Sequence, residues 1–510
     1  MSFEGMLYHS TRNKENFCSS KEAILNGLCE DGGLYISDKL PDIRLDIKAM
    51  CEMSYNEIAL TVFKELLPDY TEEELEECIS SAYNGRFETI PMTPVTEIGE
   101  DYLLELYHGP TAAFKDVALC MLPKLMQTAL KEDKRKIMIV TATSGDTGKA
   151  ALAGFRDADG ISINVFYPDH KVSDIQYLQM ATQEGSNVSV CAVNGNFDDC
   201  QTGVKEAFSS EIYNELKEKG IYLSSANSIN IGRLVPQIIY YIDAYKQLVL
   251  KKVIEIGDSV DFCVPTGNFG DILAGYYAKL MGLPVRKLIV ASNENNVLTD
   301  FLTSGTYDKK RDFKKTISPS MDILVSSNLE RLLYYTSGMD DKYVASLMNR
   351  LKEDGEFTIY EDMLSEIRKS FDGGYATNEE CKKTIKVTYE DTGRLVDPHT
   401  AVAIKVLSDI RKRKDYEPFQ NNKKVPQIIL STASPYKFAK DVYSSIFGIL
   451  TNNGSEADGF AYMEELSERT GEIIPSSLKG LKNKTILHKD VIEPDGIDSY
   501  VLRSALRFFK

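Results

Sequence analysis

From residue 100 onward the chain alternates between short apolar runs, glycine-containing turns and stretches with helical periodicity. The clearest apolar runs occupy residues 136–142, 161–167, 188–193, 262–264 and 285–291. Runs that are apolar on both faces are typical of parallel strands covered by helices on each side. The alternation therefore predicts parallel α/β sheets, in which ligands bind at the carboxyl ends of the strands.

Residues 102–116 predict a buried strand and then a helix that begins at Lys115. The helix is indicated by apolar residues at helical spacing: Phe114, Val117, Ala118, Met121, Leu122, Leu125 and Met126. The partial positive charge of a helix N-terminus and the apolar neighbours both favour the neutral amine of this lysine. A neutral amine can attack a carbonyl, which makes Lys115 a candidate Schiff-base lysine for an aldehyde cofactor. The alternative is a solvated lysine on an amphipathic helix.

Residues 141–148 (Thr-Ala-Thr-Ser-Gly-Asp-Thr-Gly) join an apolar strand to a helix, so their amides face whatever binds at that helix N-terminus. A nucleotide-binding P-loop needs four residues between its glycines and Ser or Thr after Gly-Lys. Here Gly145 and Gly148 enclose two residues, and Ala150 follows Lys149. The loop is therefore not a P-loop. The alternative to ligand binding by these amides is a helix N-cap without a ligand.

Residues 264–271 (Val-Pro-Thr-Gly-Asn-Phe-Gly-Asp) again lie between an apolar strand and an amphipathic helix. Gly267 and Gly270 let backbone amides converge on an anion. The loop lacks the GxGxxG fingerprint, which disfavours NAD. An ordinary turn is the alternative.

Two further segments carry polar side chains at the predicted ligand edge. In residues 225–233, Asn227 and Arg233 flank a helix start, where a guanidinium suits a bidentate phosphate contact. An arginine that caps a neighbouring strand remains the alternative. Residues 426–435 predict a strand that ends in hydroxyl groups.

Composition excludes several classes of function. The net charge of −17 argues against nucleic acid and against an anionic membrane face, so an anionic substrate must find a local positive pocket. Nine cysteines without a CxxC pair and five histidines without ligand spacing predict no metal site and fit a reducing cytoplasm. We find no signal-peptide pattern and no apolar run of membrane-spanning length, so we expect a cytoplasmic protein.

The run His108-Gly-Pro-Thr-Ala-Ala-Phe-Lys-Asp116 resembles the pyridoxal-phosphate lysine motif of the threonine synthase family, HGPT-x-AFKD. The other segments resemble family motifs in the same order along nearly the whole chain. The resemblance implies a fold-type II pyridoxal 5'-phosphate enzyme with two open, mostly parallel sheet domains, in which Lys115 carries the cofactor.

The resemblance also implies the remaining site residues. The GNFGD loop would cradle the cofactor phosphate, and Thr432 in the STAxP motif would face the pyridine nitrogen. The substrate phosphate would contact two loops. The implied residues are Gly267, Asn268, Phe269, Asp271 and Thr432 for the cofactor, and Ser144, Thr147, Asn227 and Arg233 for the substrate.

We expect an N-terminal segment (1–95), a catalytic α/β region (96–450) and a C-terminal extension (451–510). The catalytic region would have a smaller lobe at roughly 140–225 and a charged insertion at roughly 300–395 without catalytic residues. The family implies conversion of O-phospho-L-homoserine and water to L-threonine and phosphate by a monomer or homodimer. The alternatives are a related lyase that releases 2-oxobutanoate and a non-catalytic homologue that binds anions.

Overall fold

The computed structural model describes residues 8–143, 145–452 and 455–510. Its largest sheet has six strands, of which five are parallel and one edge strand is antiparallel. In spatial order these strands are Phe371–Tyr375, Val285–Ser292, Val260–Pro265, Gln427–Ser431, Asp101–Glu105 and Val95–Ile98.

A second sheet has five strands, all parallel. In spatial order they are Asp490–Ile492, Val188–Val193, Ile161–Pro168, Lys136–Ala142 and Ile221–Ser224. The fold class predicted from the alternation is confirmed, and the predicted runs 136–142 and 188–193 match observed strands at both ends.

Helices cover both sheets and bury their apolar faces against the strands. Around the five-stranded sheet lie Asp146–Phe155, Asp174–Ala181, Phe197–Ala207, Glu211–Glu218 and Ile497–Phe508. The remaining helices after residue 100 are Lys115–Leu130, Ile231–Leu234, Ile238–Leu250, Gly270–Leu280, Val297–Ser304, Leu329–Thr336, Asp341–Glu353, Glu361–Ser370, Asn378–Thr392, Pro398–Ile410, Ala439–Phe447 and Gly459–Thr470. In the part of the chain that the structure describes, no helix has both the length and the apolarity to cross a membrane.

The N-terminal segment forms a small antiparallel sheet and four helices. Its strands are Asn13–Cys18, Tyr8–Ser10 and Tyr35–Ile36, and its helices are Ser20–Asn26, Ile47–Met50, Tyr55–Leu66 and Glu72–Tyr83. Thr71 caps the last helix in a capping box with Glu74, so the acidic run 71–77 begins a helix whose exposed face carries its charges.

The C-terminal extension completes the five-stranded sheet. Asp490–Ile492 pairs in parallel with Val188–Val193, and the final helix Ile497–Phe508 buries Tyr500 and Val501 against the same unit. Residues distant in sequence therefore share the core around the five-stranded sheet.

Pro123 lies inside the helix Lys115–Leu130 and cannot donate to the carbonyl oxygen of Leu119, which is four residues earlier. That oxygen lies against Gly154, where a Cβ atom would be only 1.9 Å away. The missing side chain of Gly154 lets the helices Lys115–Leu130 and Asp146–Phe155 approach closely. This contact sets the spacing between Lys115 and the loop that precedes Asp146.

Arg331 is fully buried and joins three parts of the chain. Its Nε donates to the Tyr35 carbonyl oxygen of the N-terminal sheet at 3.0 Å, and its Nη2 donates to the Ile229 carbonyl oxygen at 2.6 Å. Its Nη1 donates to Asn328 Oδ1 at 2.5 Å. Asn328 in turn donates to the Asn268 carbonyl oxygen at 3.1 Å. One guanidinium therefore holds the N-terminal segment against the loops around Ile229 and Asn268.

We expect Arg331→Ala to lower the free energy of unfolding by roughly 3 kcal/mol or more, because it leaves buried acceptors without donors. Urea denaturation followed by circular dichroism measures this loss. Arg350, which is exposed on the helix Asp341–Glu353, provides the control: Arg350→Ala should change stability by less than about 0.5 kcal/mol. Equal stabilities of the two variants would contradict the role given to Arg331.

Candidate active site

A cavity of about 260 Å³ lies where the carboxyl ends of strands from both sheets meet. Nine of the side chains and glycines predicted from the sequence line it: Lys115, Thr147, Asn227, Arg233, Gly267, Asn268, Phe269, Asp271 and Thr432. Ser144, the tenth, lies outside the residues that the structure describes. Five stretches that are separate in sequence thus contribute to one cavity.

Lys115 is the first residue of its helix, and its side chain extends into the cavity rather than into solvent. The residue is 7% exposed. Its Nζ lies 3.4 Å from Ser320 Oγ, 3.8 Å from Asp146 Oδ2 and 4.7 Å from the centre of the Phe114 ring. The amine therefore has a carboxylate, a hydroxyl group and an aromatic face as its neighbours.

Two opposing effects act on the pKa of Lys115. Burial lowers the pKa, and the negative charge of Asp146 raises it. The effect of burial is larger, and the positive charges of Arg233 and Lys437 add to it, so the pKa falls to about 8. At pH 7 about a tenth of the side chains then carry a neutral amine, against far less than a hundredth for an ordinary lysine. The predicted bias toward the neutral form is present, and burial is its main cause.

Asp146 is itself held by two buried partners. Lys437 Nζ lies 2.8 Å from Asp146 Oδ1, and Gln176 Nε2 donates to the same oxygen at 2.9 Å. Burial raises the pKa of the Asp146 carboxyl, but the positive charges of Lys437 and Lys115 outweigh it and hold the pKa below the usual range. Asp146 is consequently ionised. The sequence analysis did not assign Lys437, although it lies just past Thr432.

The loop before Lys115 is fixed by Asp116. Its carboxylate accepts hydrogen bonds from Thr111 N at 2.8 Å and from Thr111 Oγ1 at 2.5 Å. A Cβ atom on Gly109 would lie 2.5 Å from Asp116 Cβ, so only glycine fits there. These contacts explain why the residues between His108 and Asp116 form a compact turn that delivers Lys115 to the helix start.

The loop from Gly267 to Asp271 opens the helix Gly270–Leu280 with Phe269 in the left-handed region, at φ 62°. Among the described residues, none accepts a hydrogen bond from the backbone amides of Gly267, Asn268 and Phe269. A Cβ atom on Gly267 would lie 2.7 Å from the Ser320 carbonyl oxygen. Free amides at a helix N-terminus, with no side chain in the way, form an anion-binding site.

Asp271 lies beneath this loop and accepts hydrogen bonds from two buried tyrosines, Tyr240 at 2.5 Å and Tyr241 at 2.9 Å. Burial raises the pKa of its carboxyl to about 6, although the two hydroxyl groups oppose the shift. The carboxylate thus anchors the start of the helix from below.

Arg233 is 4% exposed, and its Nη1 donates to the Ala226 carbonyl oxygen at 2.8 Å. Its Nε has no hydrogen-bond partner among residues 8–143, 145–452 and 455–510. Burial lowers its pKa to about 10, which leaves the guanidinium charged at neutral pH. Asn227 accepts from Thr141 Oγ1 at 2.8 Å. A buried cation with an unused donor is thus present on the cavity wall.

Thr432 follows the strand Gln427–Ser431, which lies beside Asp101–Glu105 in the six-stranded sheet. Its carbonyl oxygen accepts a hydrogen bond from Phe114 N at 2.8 Å. This backbone contact places a segment from the end of the catalytic region directly beside the lysine.

The structure adds residues that the sequence analysis left out. His399 lies in the helix Pro398–Ile410, and Ser320 lies in the stretch expected to be a charged insertion; both line the cavity. Part of that stretch, Phe371–Tyr375, is also a strand of the six-stranded sheet. The helix Phe197–Ala207 contributes Phe197, Gln201 and Lys205 to the cavity. Their spacing of four residues could have indicated one helix face, whereas no sequence signal marks Ser320.

A buried amine and an amide-lined anion site within parallel α/β sheets are what a fold-type II pyridoxal-phosphate-dependent enzyme requires. The family described as pyridoxal-phosphate dependent enzyme matches residues 90–421, and the family described as threonine synthase N terminus matches residues 7–83. The chain belongs to the threonine synthase family.

Individual relatives agree with this assignment. The threonine synthase of Pseudomonas aeruginosa is 38% identical over 446 residues, which cover 87% of this chain and 91% of the relative. The solved structure of threonine synthase from Brucella melitensis, with pyridoxal phosphate bound, has a TM-score of 0.84 at 35% identity and covers 98% and 100% of the two chains. The yeast threonine synthase structure has a TM-score of 0.85 at 33% identity and covers 98% and 99%.

The residues present fit pyridoxal phosphate. The lysine needed for its aldehyde and the free amides needed for its phosphate line the same cavity, which Thr432 also lines. The buried Oδ2 of Asp271 also has no hydrogen-bond partner among the described residues. A polar cradle with unused donors and acceptors is suited to a phosphorylated polar ring.

Gly267→Ala tests the anion loop. The added methyl group would meet the Ser320 carbonyl oxygen at 2.7 Å, so the loop or the Ser320 segment must move. We expect the dissociation constant for pyridoxal phosphate to rise about tenfold or more. Titration of the cofactor-free protein with pyridoxal phosphate, followed by absorbance, measures it. In the control Gly459→Ala the methyl group meets nothing closer than 3.7 Å. Equal affinities of the two variants would remove the loop from the cofactor site.

Proposed function

We propose that this chain converts O-phospho-L-homoserine and water to L-threonine and phosphate. The proposal is carried by one observation: the buried Lys115 amine, the free amides of residues 267–269 and the buried Arg233 cation line a single cavity. Such a cavity can receive two phosphorylated molecules, a cofactor bound through the lysine and a substrate beside it. Membership in the threonine synthase family supports the same reaction.

In this proposal Lys115 would hold the cofactor, and its freed amine would serve as the base that acts on the substrate. When bound, pyridoxal phosphate draws electrons from the substrate α-carbon. Lys115 Nζ removes the α-proton, and the resulting ammonium lies 3.8 Å from the ionised Asp146 Oδ2. A pKa of about 8 suits this work, because the amine can be both deprotonated and reprotonated near neutral pH.

The cofactor contacts assigned by the proposal are the amides of the loop from Gly267 to Asp271 and the Thr432 hydroxyl. Gly267, Asn268, Phe269 and Asp271 would hold the cofactor phosphate, and Thr432 would contact the pyridine nitrogen. A hydroxyl group in that role, unlike a carboxylate, would not hold the pyridine nitrogen protonated.

The substrate phosphate is assigned to Arg233, Asn227 and Thr147, together with Ser144, which lies outside the described residues. A protein with a net charge of −17 repels a phosphorylated substrate unless the site itself is positive. Lys205 and Arg233 line the cavity and supply that charge. Expulsion of the γ-phosphate builds negative charge where these groups lie, so they stabilise the step that breaks the carbon–oxygen bond.

The decisive experiment incubates the purified protein, with pyridoxal phosphate, with O-phospho-L-homoserine and measures phosphate and threonine together. We expect equal amounts of both products. Lys115→Ala should make neither, and it should lack the visible absorbance of lysine-bound cofactor. Phosphate with 2-oxobutanoate in place of threonine would indicate the related lyase, and no product from the wild type would indicate a non-catalytic homologue. The oligomeric state, monomer or homodimer, and the cytoplasmic location stay predictions.

Arg233→Ala tests substrate recognition separately from cofactor binding. We expect the cofactor absorbance to be retained and kcat/KM for O-phospho-L-homoserine to fall at least about a hundredfold, since a charge-assisted contact to phosphate is lost. Arg233→Lys keeps the positive charge but loses the planar guanidinium, so its kcat/KM should lie between the values of the wild type and Arg233→Ala. Steady-state kinetics measure all three proteins. An unchanged kcat/KM in Arg233→Ala would take Arg233 out of the phosphate site.

A further inference from the structure

The segment that carries Ser320 is held rigidly over the cavity by a buried carboxylate, Asp322. Its two oxygens accept hydrogen bonds from Thr316 Oγ1 at 2.6 Å, Thr316 N at 2.9 Å, Asn293 Nδ2 at 2.7 Å and Asn295 Nδ2 at 3.1 Å. Asn293 and Asn295 directly follow the strand Val285–Ser292. The carboxyl end of a central strand therefore fixes the position of this segment.

The backbone of Ser320 is fixed on two further sides. Its N–H donates to His399 Nε2 at 3.2 Å, and His399 Nδ1 in turn lies 2.6 Å from Asp397 Oδ2. Because Nε2 accepts, the ring proton lies on Nδ1, where the carboxylate holds it. The Ser320 carbonyl oxygen lies over Gly267, where even a methyl group would not fit. With its backbone held in this way, Ser320 can direct its hydroxyl group at one target.

That target is the catalytic amine. Ser320 Oγ lies 3.4 Å from Lys115 Nζ, and it is the one hydroxyl group within hydrogen-bond distance of this nitrogen among the described residues. The other groups that act electrostatically on the amine are the carboxylates of Asp146 and Asp271 and the cations Arg233 and Lys437. The nearer carboxylate, Asp146, lies 3.8 Å from Lys115 Nζ and is already paired with Lys437. The Lys115 ammonium therefore has hydrogen-bond donors that Asp146 does not use.

We propose that Ser320 is a positioning residue that accepts a hydrogen bond from the protonated Lys115 side chain and keeps it directed at the reacting carbon. The inference rests on the proposed function. The proton moves from the substrate α-carbon to Lys115 Nζ; Ser320 accepts the hydrogen bond without losing or gaining a proton. Later the same ammonium returns a proton to the substrate from the position that Ser320 holds. A hydroxyl group serves here because it accepts without adding charge to a cavity that must receive a phosphate.

Ser320→Ala tests the proposal by kinetics. We expect kcat to fall about tenfold or more while KM changes less than about threefold, since the lost contact acts on the base and not on substrate binding. Ser320→Thr keeps the hydroxyl group and should restore kcat to within about threefold of the wild type. The control is Ser304→Ala, a change at an exposed serine at the end of the helix Val297–Ser304, which should match the wild type.

A second measurement needs no turnover. In cofactor-free protein, the rate at which an acylating reagent modifies Lys115, followed by mass spectrometry across pH, reports the pKa of that amine. Removing an acceptor of the ammonium destabilises the charged form, so Ser320→Ala should shift the midpoint to lower pH by about one unit. Ser320→Thr should leave the midpoint in place.

The outcomes separate cleanly. An unchanged kcat together with an unchanged labelling midpoint in Ser320→Ala overturns the assignment. The assignment is also overturned if kcat falls in Ser320→Ala, Ser320→Thr fails to restore it and the labelling midpoint does not shift. Ser320 would then contribute only to the packing of its segment. If the wild type makes no threonine, the proposed function fails, yet the labelling midpoint still decides whether Ser320 contacts Lys115.

Discussion

The rest of this site depends on the burial of one amine, that of Lys115. Desolvation pushes the Lys115 pKa down to about 8, and the nearby carboxylate of Asp146 keeps it from falling further. Asp146 can play this part only while it is ionised in a buried position, and the fully buried Lys437 ensures that. Two lysines thus share one carboxylate, and the lysine that lies farther from it is the reactive one.

The anion loop depends on a second layer of support. Its glycines admit the Ser320 segment on one side, and Asn328 donates to the Asn268 carbonyl oxygen on another. Asn328 is held by Arg331, whose guanidinium also reaches Tyr35 of the N-terminal sheet. The N-terminal segment therefore supports the site from outside, because none of its residues from Tyr8 onward, where the structure describes the chain, lines the cavity. Free amides keep their geometry only when the surrounding backbone cannot collapse onto them.

Most of the frame was predictable from the sequence, because a strand buried on both faces is apolar over most of its length. The runs 136–142 and 188–193 show this directly, and both became strands with those bounds. The same reasoning could not anticipate Asp490–Ile492, which joins the five-stranded sheet at an edge and carries exposed residues. Nor could it show that Phe371–Tyr375, a glycine-containing strand inside a charged stretch, extends the six-stranded sheet. Edge strands lack the apolar signal because solvent covers one of their sides.

Local chemistry pointed to the lysine, the two glycine loops and Arg233, since each follows a strand and opens a helix, and that position is encoded by neighbouring residues. The partners of these groups were decided elsewhere. Ser320 reaches Lys115 across 205 positions of sequence, and Lys437 reaches Asp146 across the two sheets. Such pairs carry no periodicity or motif, because their proximity arises only when separate strands end at one edge. Residue type and spacing thus revealed which groups can react, whereas long-range packing chose their neighbours and, through burial, their charge.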